Sequence, residues 1–277
     1  MNIQSLSKHV ALLRYQLGSP LRLGAHHYRI RGYLANEPPQ ALGHEPYLLP
    51  FLQRALKSRP GAFVDVGVNI GQTLMKVMAF DPSRQYVGFE PQLACSCFVE
   101  RFINDNRLTN ALVLPLGLSD SDGLCALHTS GNFDEMASIE GNVSVDGSSR
   151  GQQLWIQTRT GDAVIDELGV KQVAIIKVDV EGAEARVFAG FRKTLERARP
   201  ILMFEVLTNF FGPERKAANA EFRRRNTQRA LTLWRTVEDA GYEVRQIDTE
   251  GNERVVDAFN LDDARNFVGY DYVAYPR

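Results

Sequence analysis

From about residue 61 onward the chain repeats one pattern: a short, nearly unbroken apolar run, a turn, then a helical stretch. Phe63–Val66, Tyr86–Phe89, Ala111–Leu116, Ala174–Val178 and Ile201–Phe204 are the runs, and Thr73–Phe80, Phe98–Ile103 and Ala185–Ala198 are helical. Strands that are apolar on both faces need cover on both faces, and intervening helices supply it. The pattern therefore predicts an α/β protein with a doubly wound parallel sheet. Such a sheet takes its ligand at the carboxyl ends of the strands, where the strand order reverses. Chemistry is expected there.

The flanks add to that sheet. Leu6, Val10, Leu13 and Leu17 recur at helical spacing, so residues 1–44 are expected to form an N-terminal helical cap, loop-like from Gly18 to Gly43. Tyr47–Leu56 predicts a helix started near Glu45–Pro46. Leu124–His128 and Leu154–Gln157 are expected to pair as an inserted antiparallel hairpin. The Gly-, Ser- and Asn-rich residues 129–153 that join them form a long insert expected near a substrate site. Leu231, Trp234 and Val237 mark a late helix, with strands after it at Tyr242–Ile247 and Tyr270–Tyr275. Nothing resembles a linker, so 45–277 is expected to be one domain.

Composition excludes several classes. Lys plus Arg is 32 and Asp plus Glu is 33, a net charge of −1. That balance argues against a nucleic-acid partner or an anionic membrane surface. Cys95, Cys97 and Cys125 contain no CxxC pair and no His cluster, so neither a disulfide framework nor a zinc site is expected. No apolar stretch is long enough for a membrane span. A soluble, cytoplasmic protein follows, with a homo-oligomer left open.

The strand ends carry the polar residues. After Phe63–Val66 comes Gly67-Val68-Asn69-Ile70-Gly71, where the glycines free the backbone to turn and admit a ligand closely. A dinucleotide turn needs G-x-G-x-x-G; here Asn69 replaces the second Gly and Gly71 follows Gly67 by four residues, which disfavours an NAD-linked oxidoreductase. Asp65 sits at the end of the first strand. Glu90 ends the second, 19 residues beyond Gly71, near the offset at which an acid meets ribose hydroxyls. Asp120 follows the third, either as a turn residue or facing a base. Three acids at successive strand ends favour a nucleoside with free ribose hydroxyls. The fourth strand ends Lys177-Val178-Asp179-Val180-Glu181-Gly182, and the fifth ends at Glu205. Charges ending buried strands need partners. An ion pair at the sheet edge and a catalytic cluster both meet that need.

Asp65 through Gly71, Phe89-Glu90-Pro91, Leu118-Ser119-Asp120, Thr160-Gly161-Asp162, Lys177 through Glu184 and Arg199-Pro200 together resemble the FkbM family of S-adenosylmethionine-dependent methyltransferases. The likeness runs from about Glu45 to Val206. Val68 stands where the family usually has Ala, and Gly161 where an aliphatic residue is usual, which predicts a looser helix start there. The resemblance implies a seven-stranded, Rossmann-like methyltransferase sheet with an antiparallel last strand. It implies S-adenosylmethionine contacts at Asp65, Gly67, Asn69, Gly71, Glu90 and Asp120. It implies methylation of hydroxyl groups, on a sugar, glycan or secondary metabolite. A non-catalytic cofactor-binding scaffold is the alternative.

For such a transfer, Asp179 or Glu181 is the expected general base, with Lys177 orienting it or stabilising a developing alkoxide. Alternatively Asp179, Glu181 and Glu205 hold Mg²⁺, which suits hard carboxylate oxygens. Glu205, Glu45 and His128 are expected on the substrate side, His128 as a reserve base. Arg223, Arg224, Arg225 and Arg229 read either as a solvated helix face or as a grip on a phosphate-bearing acceptor.

Overall fold

A computed structural model describes residues 19–31, 45–129, 131, 134, 137–139, 151–206, 220–248, 250–261 and 271–277. The expected helix at Leu6–Leu17 lies outside these. The stretch expected to be loop-like instead forms a hairpin, β1 (Ser19–Leu23) against β2 (His26–Ile30). Its Leu21, Leu23, Tyr28 and Ile30 alternate inward, and Tyr28 donates to the Met78 carbonyl 3.0 Å away. The strand period was masked in the sequence by the polar residues that alternate with them.

The body of the chain runs α1 (Leu48–Ser58), β3 (Ala62–Val66), α2 (Gln72–Phe80), β4 (Tyr86–Phe89), α3 (Leu93–Asp105), β5 (Ala111–Leu114), β6 (Gly117–Ser119), β7 (Gly123–Thr129) and β8 (Gln152–Thr160). It continues with α4 (Gly161–Glu167), β9 (Val173–Val178), α5 (Glu184–Gly190), α6 (Arg192–Ala198), β10 (Ile201–Glu205), α7 (Ala220–Asp239), β11 (Tyr242–Ile247), β12 (Glu253–Val255) and β13 (Asp271–Pro276). The main sheet has the order β12-β11-β13-β10-β9-β3-β4-β5. From β10 to β5 all neighbours are parallel, while β13 runs antiparallel between β10 and β11. The expected sheet of seven gains an eighth strand, β12, only three residues long and paired to β11 at one edge. So short a run leaves no period to detect.

Strands β3, β4 and β9 are buried at every position. Alternate side chains feed two cores, one against α1 to α3 and one against α4 to α7. Hydrophobic burial on both faces holds the central strands in register, and the β3–β9 junction is the point where strand order reverses.

The hairpin expected from residues 124–157 forms, with Cys125 opposite Ile156 and Leu127 opposite Leu154. It joins β6 in a separate three-stranded sheet, β6-β8-β7. The single helix expected over Ala185–Ala198 is broken at Phe191 into α5 and α6. Gly161 accommodates the ring at that break. A β-carbon there would lie 2.3 Å from the Phe191 ring, so the glycine makes room for Phe191 to turn inward. The start of α4 is not loose: Asp162 accepts from the Lys193 and Thr194 amides at 2.8 Å and from the Thr194 hydroxyl at 2.7 Å. No described helix is long and apolar enough to cross a membrane.

Candidate active site

A cleft opens at the carboxyl ends of β3, β4 and β9, the place a doubly wound sheet offers a ligand. Gly67, Asn69, Glu90, Asp179 and Glu181 all line it. Leu118, Leu127, Ile156 and Thr158 also line it, a largely apolar slot that sequence reasoning missed because β6 to β8 contribute it from a second sheet, and Ile139 adds to it.

The glycine turn has a steric cause. Gly67 has φ 87°, and a β-carbon there would lie 1.8 Å from the Asp179 carbonyl oxygen. Only glycine lets the two strand-end turns touch. Asn69 has φ 49°, in the left-handed region that Asn tolerates best among residues with a β-carbon. Its amide donates to Glu90 Oε2 at 2.8 Å, while the Gln92 amide donates to Glu90 Oε1 at 2.8 Å. One carboxylate thus ties the glycine turn to the start of α3. Burial pushes Glu90 up to about 7, against the pull of those two amides. Each oxygen keeps lone-pair capacity for a further hydroxyl donor.

Asp65 does not reach the cleft wall. It lies fully buried beneath it, accepting from the Tyr86 hydroxyl, with Lys177 Nζ at 3.9 Å from Oδ1. Burial raises its carboxyl to about 6, opposed by Lys177 and Tyr86. Gly71 caps α2 away from the wall at φ 84°. Asp120 is turned outward, 3.0 Å from Arg186, whose hydrogen bond holds its carboxyl below the usual range. Its side chain took the turn role, and Leu118 lines the slot in its place.

At the end of β9, Lys177 donates to Asp179 Oδ2 at 2.9 Å. Burial works against the ammonium, but Asp179 and Asp65 outweigh it and raise the Lys177 pKa, so it stays charged. Glu181 sits in a strained turn at φ 54°, followed by Gly182 at φ 103°. The buried Glu184 supports that turn by accepting from the Gly182 amide at 3.0 Å. One carboxylate oxygen each of Asp179, Glu181 and Glu205 lie within 4.8 Å of one another. Burial, then Asp179 and Asp271, push Glu205 up to about 10.

Glu45 is brought near by an ion pair with the buried Lys76, 3.0 Å. Tyr47 donates to Asp271 at 2.6 Å, and Asp271 faces Glu205 across the β10–β13 pair. Asp271 was missed because its neighbour is set by an antiparallel register between segments far apart in sequence. His128 does not line the cleft. Leu127 and Thr129 turn inward on β7, so alternation directs His128 to the opposite face. Arg223, Arg224, Arg225 and Arg229 lie on α7, outside the cleft wall.

A doubly wound sheet with an acid-ended cleft at its reversal point, and an antiparallel strand inside one edge, defines a methyltransferase-like α/β fold. Residues 65–244 match the methyltransferase FkbM domain, and the chain belongs to that family of methyltransferases. It is similar to the 2-O-methyltransferase NoeI of Sinorhizobium fredii, 24% identical over 146 residues that cover 49% of this chain. The chain spans 59% of the length of that relative. Among solved structures it resembles the methyltransferase FkbM from Methylobacillus flagellatus KT, at 14% identity and TM-score 0.45, covering 78% of this chain and 43% of that one. It also resembles a putative caffeoyl-CoA O-methyltransferase from Staphylococcus aureus, at 8% identity and TM-score 0.48, covering 83% and 82%.

Proposed function

We propose that this chain is an S-adenosylmethionine-dependent O-methyltransferase whose acceptor is a hydroxyl of a sugar, glycan or secondary metabolite. The observation that carries the reading is the buried Glu90 carboxylate, set beside a glycine turn and an apolar slot in one cleft. A carboxylate in that place suits two ribose hydroxyls, and the slot suits a purine. The similarity to a relative named as a 2-O-methyltransferase supports the oxygen direction.

When bound, the cofactor supplies a methyl carbon already activated on a sulfonium. The chain has two tasks: to hold a hydroxyl in line with that carbon, and to take its proton. Orientation supplies roughly 7–11 kcal/mol of such a barrier, and a general base about 3–5 kcal/mol. Rigid placement of the Asp179–Gly182 turn is therefore the larger contribution. Asp179 or Glu181 accepts the proton, and Lys177 fixes Asp179 in one orientation. A second reading is favoured by the 4.8 Å convergence of Asp179, Glu181 and Glu205. Those hard oxygens suit Mg²⁺, which would hold and acidify the acceptor hydroxyl.

Labelled methyl donor offered with panels of glycans and hydroxylated metabolites tests the reading. Transfer to an oxygen is expected, with loss of activity in Asp179→Asn. Transfer to nitrogen only, or stabilisation of the protein by NAD but not by S-adenosylmethionine, would overturn it. Loss of activity on chelation, restored by Mg²⁺, would establish the metal.

A further inference from the structure

The doubly wound sheet does not supply the whole cleft. One wall comes from the start of the insert after β7, where Ala137 and Ile139 face the cavity. Buried polar side chains fasten that wall. Gln92 grips the backbone of Asp134 with both ends of its amide: Nε2 donates to the Asp134 carbonyl at 2.8 Å, and Oε1 accepts from the Asp134 amide at 3.2 Å. Thr129 donates to the Gly131 carbonyl at 2.7 Å and accepts from the Gly131 amide at 3.2 Å. The Ser138 backbone bridges to His128, and its hydroxyl donates to the Glu181 carbonyl at 2.8 Å.

Gln92, Thr129 and Ser138 are 6%, 1% and 2% exposed. Groups so far from water would be unfavourable without these bonds. Two of the contacts reach outside the insert, one to the turn that carries Glu90 and one to the turn that carries Glu181. Gln92 is the residue whose backbone amide binds Glu90, while Ser138 holds the turn that carries Glu181. A bond set serving only the insert's own order would have no reason to end on these two turns.

We propose that Gln92 and Ser138 are positioning residues that clamp Asp134 and residues 137–139 to the turns carrying Glu90 and Glu181, so that this wall retains an adenosine-containing ligand. The ligand class rests on the function proposed above; the clamp rests on the hydrogen bonds. Because the clamp ends beside Glu90, a ligand engaging that carboxylate tightens the same chain of bonds.

S-adenosylhomocysteine is the probe, with binding followed by calorimetry and dissociation by stopped flow. Gln92→Met keeps the length of the side chain and removes both bonds. It is expected to speed dissociation about tenfold or more, whereas Ser138→Ala is expected to give a smaller increase of about threefold. In wild-type protein, saturation with the probe is expected to slow hydrogen exchange at the Asp134 and Ser138 amides. Unchanged dissociation from Gln92→Met overturns the clamp. Should that variant not fold, probe-independent exchange at those two amides in wild-type protein overturns it equally. A wild-type protein that binds no S-adenosylhomocysteine overturns the ligand class and the function behind it, while loss of protection at residue 134 in Gln92→Met would still show the clamp itself.

Discussion

Replacing Tyr86 by Phe tests how the buried Asp65 is kept ionised beneath the cleft. The ring packs in a stacked pair with Phe63, centroids 5.9 Å apart, and Phe preserves that packing. What is lost is the one hydroxyl that donates to Asp65, whose other oxygen accepts no hydrogen bond from the described residues. Lys177 at 3.9 Å then becomes the main support of a fully buried carboxylate. A hydrogen bond to a charged group is worth about 1.5–3 kcal/mol, so a loss of about 2 kcal/mol is expected at pH 8. For a chain of this size that lowers the melting temperature by roughly 4–8 °C.

The loss should depend on pH in a stated direction. The Asp65 carboxyl is raised to about 6, so its contribution is fully present below the unfolded value and is lost as pH rises through about 6. Removing Tyr86 raises it further. At pH 8 the variant holds an ionised Asp65 with one partner fewer, whereas at pH 5 the group is protonated and the difference shrinks to about 1 kcal/mol. Urea unfolding of both proteins at pH 5, 6.5 and 8 measures this. Equal losses at pH 5 and pH 8, with unchanged m-values, would refute the reasoning.

Three further outcomes follow from contacts already described. Gly67→Ala must move the Asp179 carbonyl, 1.8 Å from the new β-carbon, and must hold Ala at φ 87°; calorimetry should show S-adenosylhomocysteine affinity falling at least about tenfold. Gly161→Ala drives a β-carbon into the Phe191 ring at 2.3 Å; thermal unfolding should show a loss of about 1–3 kcal/mol, partly restored by Phe191→Leu. Glu90, Glu184 and Asp271, each pushed up to about 7 chiefly by burial, contribute stability that is lost as pH rises through 7. Without ligand the protein should therefore be more stable at pH 5 than at pH 8 by several kcal/mol; a curve flat over that range in urea unfolding would contradict the burial of these groups.

The legible part of the fold was the part with the strongest period. Strands β3, β4, β9 and β10 are continuous apolar runs, and each lies where its run predicts. Strands β1 and β2 alternate over only five residues apiece, and β12 spans three, too few to rise above the background of polar loops. The site was legible where each residue ends a strong apolar strand: Gly67 and Asn69 follow β3, Glu90 follows β4, and Asp179 and Glu181 follow β9. Asp120 was ambiguous because a strand-end acid that faces a ligand and one that faces Arg186 have the same local sequence. Tyr86, Asp271 and Gln92 were not legible. Each owes its role to a partner fixed by sheet register or by the insert, and neither is written in local spacing.

The place of β13 in the sheet bears on how the molecule comes together. Residues 271–276 follow β10, β11 and β12 along the chain, yet they occupy an interior position between β10 and β11. Until they emerge, the β11–β12 pair has no strand linking it to β10, and Tyr47 has no Asp271 to bond. Tyr47 and Glu205 thus both wait on Asp271 of this one late strand. Deleting it would split a sheet instead of trimming one, and a ribosome-bound chain lacking it would present an open β10 edge where the acids of the site should converge.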